Sequence, residues 1–140
     1  LSGKKGILYC DGASKGNPGH SGIGIVLIIK GHKITLSEYI GLATNNIAEY
    51  KALLRGIYEA EKNGVRIIDI FTDSELMAKQ IQGIYKVKSP NLENLYKEVI
   101  SLLKGFEKYT IKHIPRDLNK EADSLANAAL GKNQGIKGTK

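Results

Sequence analysis

Four carboxylates stand where the surrounding pattern asks for apolar side chains: Asp11, Glu49, Asp73 and Asp123. Asp11 continues Ile7-Leu8-Tyr9-Cys10, a run apolar on both faces and so expected at the centre of a sheet. A carboxylate closing such a strand is costly to bury unless it is paired or binds metal. On a helical wheel Glu49 falls opposite the charged arc of Lys51, Arg55, Glu59 and Lys62, on the side of Leu53, Gly56 and Ala60. Asp73 ends an Ile-rich strand at Thr72-Asp73-Ser74, and Asp123 borders the stripe of Ala122, Leu125, Ala126, Ala129 and Leu130. Each acid also has an ordinary explanation. Asp11 before Gly12 can start a turn, Glu49 can close a capping box with Asn46, Asp73 can cap a helix, and Asp123 can complement a helix dipole. Jointly these explanations weaken, because strand ends and helix starts meet at the carboxyl edge of a small α/β sheet, where ligands commonly bind. Carboxylates crowded there need cations between them, since like charges disfavour each other's ionisation. Hard oxygen ligands select Mg2+ or Mn2+, and two ions about 3.5–4 Å apart suit phosphoryl transfer.

The elements that must position these acids are legible as alternation and helical periodicity. Ile7 to Cys10 reads as a first strand, followed by the turn-rich stretch Asp11 to Gly19, in which Asn17-Pro18-Gly19 is strong turn chemistry. Gly22 to Ile29 and Lys33 to Ile40 read as two more strands joined at Lys30-Gly31-His32, giving an antiparallel meander. A helix is expected from Asn46 to Lys62, stopped by Gly64. Arg66 to Thr72 is a fourth strand, Ser74 to Gln82 a short helix, and Asn91 to Lys104 a helix with Leu92, Leu95, Val99, Leu102 and Leu103 at helical spacing. Tyr109 to Ile114 is a fifth strand and Asn119 to Leu130 a last helix. Residues 131–140, with three Gly and three Lys, read as a frayed tail. The fold class is therefore α/β: a mixed five-stranded sheet, antiparallel in its first three strands, with flanking helices.

Composition narrows the function classes. At 140 residues the chain suffices for one domain with a real core. No apolar run approaches the roughly 18 residues of a membrane span, so no membrane partner is expected. The single cysteine, Cys10, excludes an internal disulfide and, with no secretory leader at the start, points to a cytoplasmic protein. A net charge of +7 favours a polyanionic partner. Seven Tyr, two Phe and no Trp argue against a single-strand binder built on stacking platforms.

Four segments, taken in order, resemble the type 1 ribonucleases H over roughly residues 6–130. They are Tyr9-Cys10-Asp11-Gly12-Ala13 with Gly16-Asn17-Pro18-Gly19, then Thr44-Asn45-Asn46-Ile47-Ala48-Glu49, then Phe71-Thr72-Asp73-Ser74, and last His113-Ile114-Pro115-Arg116 through Asn119-Lys120-Glu121-Ala122-Asp123. The resemblance implies a ribonuclease H-like fold and a catalytic domain over residues 1–130. It implies an endonuclease that cuts the RNA strand of RNA–DNA hybrids with two Mg2+ ions, Mn2+ substituting, to leave 5′-phosphate and 3′-hydroxyl ends. Asp11 would bridge both ions, Asp123 complete the nucleophile-side site, and Glu49 and Asp73 complete the leaving-group side. His113 would lie near the scissile phosphate. Asn17, Thr44, Asn45 and Asn46 would contact the hybrid, where short amides suit a shallow minor groove displaying 2′-hydroxyls.

Two departures stand out. The longer family members carry a basic helical handle, and here only Gly83 to Pro90 fills that space, so the chain resembles the short, archaeal-like form. Double-stranded RNA is a second substrate to test in that form. Glu75 is an extra carboxylate whose direction the sequence leaves open. The rivals are a catalytically silent nucleic-acid-binding domain of the same fold, a domain of a polymerase-linked chain, and a nucleotide binder using the glycines near Gly16. That last segment matches neither phosphate-loop pattern. A monomer is expected.

Overall fold

The computed structural model describes residues 4–138, with side chains as far as residue 131. One mixed sheet runs in the order β3-β2-β1-β4-β5, built from β1 (Lys4–Gly16), β2 (Gly19–Ile29), β3 (His32–Ala43), β4 (Val65–Thr72) and β5 (Lys108–His113). The helices are α1 (Asn45–Lys62), α2 (Glu75–Ile81), α3 (Pro90–Leu103) and α4 (Lys120–Gly138), with a 3-10 turn at Arg116–Leu118. The first three strands pair antiparallel, and β4 and β5 join parallel to β1 and to each other. This is the sheet that the alternation of the sequence predicts. No helix among the described residues is long and apolar enough to cross a membrane.

β1 sits at the centre because both its faces are apolar, and each face meets a helix. On one face Leu8 lies beneath Gly56 of α1, where a Cβ on the glycine would come within 2.7 Å of the leucine methyls. Leu8, Cys10, Ile25, Leu53, Ile57, Ile68 and Ile70 are fully buried there. On the other face α4 packs over β2 through Gly22 and Gly24. α3 backs α1, and α2 lies against β5.

Several boundaries differ from those the sequence predicts. β1 does not stop at Cys10: it pairs with β2 without interruption from Ile7↔Ile28 to Gly16↔Gly19, so the turn is confined to Asn17-Pro18. Asp11 is therefore a mid-strand residue and not a turn starter. Gly12, Ala13, Ser14 and Gly16 are weak strand formers, and it is the ladder to β2 that holds them extended. β3 runs past Ile40 to Ala43 over a register shift opposite Ser21/Gly22, with Gly41 at φ +83°. Thr44, not Asn46, caps α1: its Oγ1 accepts the Ile47 N–H at 3.2 Å. Ser74, not Asp73, caps α2 through the Met77 N–H. α4 continues beyond Leu130 to Gly138, so Gly131 does not end it and the expected frayed tail is helical over most of its length. Its side chains from 132 onward lie outside the described residues.

The β2–α4 contact yields a prediction with opposite signs at two glycines. An ideal Cβ on Gly24 would sit 2.0 Å from the Ala122 carbonyl oxygen, while one on Gly131 meets nothing within 4 Å. Gly24→Ala should destabilise the fold by about 3 kcal/mol or more, as overpacking against backbone does. Gly131→Ala, in open space on the same helix, should stabilise it by about 0.5–1 kcal/mol. Chemical denaturation of both variants measures the difference, and equal effects would contradict this packing.

Candidate active site

The chain supplies its acids from four separate elements. Asp11 comes from the middle of β1 and is only 4% exposed. Glu49 comes from the first turns of α1, Asp73 from the residue after β4, and Asp123 from the first turn of α4. Asp11, Glu49 and Asp73 each present a carboxylate oxygen, and these oxygens lie within 4.8 Å of one another. Asp123 stands outside that trio, and its carboxyl lies close enough to Asp11 to hydrogen-bond it.

Local backbone chemistry explains the convergence. With Thr44 serving as the cap, Glu49 is released from capping, and its Oε1 instead accepts the Gly12 N–H at 3.0 Å. That contact exists because Gly12 has no side chain: a Cβ there would fall 2.4 Å from the Ala48 carbonyl carbon. Likewise Ser74 caps α2, and Asp73 Oδ2 is left buried without a hydrogen bond. On the far side the Asn119 amide, 1% exposed, donates to the Cys10 carbonyl at 3.0 Å, and the Asn119 carbonyl accepts the Asp123 N–H at 3.1 Å. The start of α4 is thereby tied to the strand one residue before Asp11.

This electrostatic arrangement is unfavourable without a positive partner. Burial first, then the Glu49 charge, the Asp123 hydrogen bond and the Asp73 and Asp123 charges push the Asp11 carboxyl well above the usual carboxylate range. Burial and then the Asp73 charge push Glu49 up too, against the opposing pull of the Gly12 N–H, the Asp11 hydrogen bond and Arg116. Arg116 is the nearby cation, but its Nε lies 3.9 Å from Asp73 Oδ2, too long for a hydrogen bond, and its side chain is 85% exposed. An all-oxygen donor set, with one buried oxygen lacking a partner, fits a hard divalent cation.

Other residues singled out in the sequence fall around this centre. His113 ends β5, exposed, in register with Thr72, with Asp73 following Thr72 in the chain. Asn17 Oδ1 accepts the Asn45 N–H at 2.9 Å, which joins the β1–β2 turn to the start of α1. Asn17, Thr44 and Asn46 line a cavity of about 240 Å³ together with Ser89 and Asn91, two polar residues that the sequence pattern did not mark. Ser89 precedes the helical Pro90, which is the signal that could have found it. Glu75 turns away from the acids into an ion pair with Lys79 at 3.2 Å. Arg116 and Asn119 lie in the quoted motif, yet spacing alone assigned them nothing.

The chain matches the Reverse transcriptase-like family over residues 9–129. It is 41% identical over 124 residues to the Ribonuclease HI of Halobacterium salinarum, an alignment covering 87% of this chain and 62% of that protein. It is 40% identical over 129 residues to the bifunctional protein Rv2228c of Mycobacterium tuberculosis, covering 90% of this chain but 35% of the relative. The chain thus spans between about a third and two thirds of these relatives' lengths. Among solved structures, LC11-RNase H1 in complex with an RNA/DNA hybrid superposes with a TM-score of 0.86 at 37% identity, covering 92% of this chain and 99% of that one.

The raised carboxyls give the metal-free protein a pH-dependent stability. Asp11 and Glu49 hold their protons more tightly folded than unfolded, so the folded state binds more protons once pH exceeds about 4. Stability is then lost as pH rises toward the raised values. In EDTA, Tm should fall by several degrees between ~pH 5 and ~pH 8. Mg2+ should remove much of that fall, and Asp11→Asn should raise Tm at ~pH 8 more than at ~pH 5. Differential scanning calorimetry across this range provides the check. A Tm independent of pH and of Mg2+ would contradict the crowding described.

Proposed function

The chain belongs to the ribonuclease H family, and on that premise we propose that it is an endonuclease that hydrolyses the RNA strand of RNA–DNA hybrids with two divalent cations, leaving 5′-phosphate and 3′-hydroxyl ends. The observation that carries this reading is the trio of carboxylate oxygens within 4.8 Å, one of them on an acid with a buried, unpartnered oxygen, joined by Asp123 through Asp11. Asp11 is the acid common to both groupings, which supports its assignment as the bridging ligand, with Asp123 on one side and Glu49 and Asp73 on the other. When bound, such cations make a water nucleophilic near neutral pH and neutralise charge on the departing 3′ oxygen.

The chain's own residues do the rest. The Gly12 N–H holds Glu49 in place, and the Asn119 staple holds the start of α4 against β1, so the acids need little rearrangement to receive their ions. His113, exposed at the end of β5, would exchange a proton near the scissile phosphate and aid product departure. Asn17, Thr44 and Asn46 border a cavity at the start of α1, and with the neighbouring Asn45 they would offer amides and a hydroxyl to 2′-hydroxyl and phosphate oxygens. Beyond Asn46 a larger cavity of about 560 Å³ is bordered by Lys86 and Lys88, in the place of the absent handle.

A labelled hybrid tests the reading. Mg2+ or Mn2+ should support cutting of the RNA strand and EDTA should abolish it. Asp11→Asn should lower turnover by several orders of magnitude while hybrid binding persists, since it removes the bridging charge. Asp69→Asn should leave activity intact, because Asp69 pairs with Lys5 and Thr110 outside the acid cluster. Robust cutting in excess EDTA would overturn the mechanism. Binding without cutting under any metal would favour a silent binding domain, and a parallel double-stranded RNA arm decides that second substrate.

The lysines carry a separate expectation. Each lost phosphate contact should reduce the slope of log affinity against log salt by about 0.7–0.9. Lys86→Ala with Lys88→Ala should therefore flatten the slope by about 1.4–1.8, measured by fluorescence anisotropy on hybrid. An unchanged slope would return both residues to the solvated surface.

A further inference from the structure

In the trio, strand pairing on both sides of β1 sets the backbone leading to Asp11 and the Gly12 N–H holds Glu49, while Asp73 follows β4 with its Oδ2 unpartnered. Asp123 differs. It sits half-buried on the first turn of α4, where a carboxylate is free to rotate about χ2 unless something holds one of its oxygens. Asn127 supplies that hold. One helical turn on, its Nδ2 donates to the Asp123 carbonyl at 2.9 Å and to the Asp123 Oδ1 at 3.2 Å. With Oδ1 engaged, the carboxylate is held in one orientation beside Asp11.

Helix stability does not explain an asparagine here. Residue 127 is exposed in a helix interior, where Ala, Lys, Glu or Gln each cost less than Asn. The amide does for Asp123 what the Gly12 N–H does for Glu49: it orients a ligand from behind without touching the ion. We propose that Asn127 is a positioning residue that fixes the orientation of the Asp123 carboxylate, and so sets how tightly the cation between Asp11 and Asp123 is held.

This inference rests on the two-cation reading above, and its test separates the two. Mn2+ binding is measured from the free-ion electron paramagnetic resonance signal, on protein saturated with a hybrid blocked by 2′-O-methyl groups. Asn127→Ala should need about ten-fold more Mn2+ for half occupancy, the scale on which such supporting contacts act. Its KM for hybrid should be unchanged. Its Tm in EDTA should equal or exceed that of the unsubstituted protein, because alanine is the better helix former. A merely structural residue would show the reverse, a lower Tm with Mn2+ affinity preserved, and that result overturns the proposal. So does unchanged Mn2+ affinity at unchanged Tm. If the unsubstituted protein neither binds Mn2+ with hybrid nor cuts it, the two-cation reading falls first and this inference with it.

Discussion

Mutual repulsion among Asp11, Glu49 and Asp73 is the constraint around which this molecule is built. Three carboxylate oxygens within 4.8 Å, one on a mid-strand residue of the central strand, place like charges where water is scarce. Two unit charges about 4 Å apart repel by about 4 kcal/mol at an effective dielectric constant of about 20. That is a large share of a domain's net stability of about 5–15 kcal/mol. The scaffold therefore has to be stiff where the acids are. β1 is paired on both sides, apolar on both faces, and pressed between α1 and α4. Protons or cations relieve the repulsion, and cations do so without removing the charge that chemistry needs.

Stiffness alone would not bring the acids together; two close backbone approaches do. On one face Gly12 lets the first turn of α1 come down to the strand, which carries Glu49 to Asp11. On the other, Gly22 and Gly24 let α4 settle on β2, which carries Asp123 to the opposite side of the same aspartate. Asp11 is central because two helices approach its surroundings closely, and the glycines that permit the approach lie on different strands and serve different helices. Asn119 adds a tie of its own: buried before α4, its side-chain amide donates to the Cys10 carbonyl of β1.

Much of this was legible in the sequence, and the failures have a common cause. The unbroken apolar run Ile23 to Ile29 and the periodicity in Leu92 to Leu103 report burial, so the strands, the helices and the sheet class followed from such patterns. Caps and strand ends report neighbours that lie elsewhere in the chain. Gly12 to Gly16 has turn composition, yet it is strand because β2 supplies the ladder. Asn46 has the spacing of a capping box with Glu49, yet Thr44 caps the helix because Glu49 is drawn to a backbone N–H distant in sequence. Residues 131–140 have the composition of a frayed tail, yet α4 runs on to Gly138. The acids could be picked out because burying a carboxylate is a conspicuous departure from pattern. Arg116, Asn119 and Asn127 could not, because a polar residue at a helix start or on an exposed helix face departs from no burial pattern.

The distribution of charge also separates grip from cutting. The chain carries a net +7, but its centre is a pit of carboxylates that repels a phosphate backbone until cations fill it. Attraction must then come from the periphery, where Lys86 and Lys88 border the cavity beyond Asn46 and Arg116 stands exposed at the rim of Asp73. On the proposed reading a long polyanion would meet both regions at once, with most of its phosphates near the lysines and amides and the scissile one over the acids. A short one cannot, since it lacks the remote contacts that offset the pit's repulsion. On the same reading, electrostatics would favour a long polyanion over a short one before any base or sugar is read, and bound cations would complete the surface that meets the phosphate.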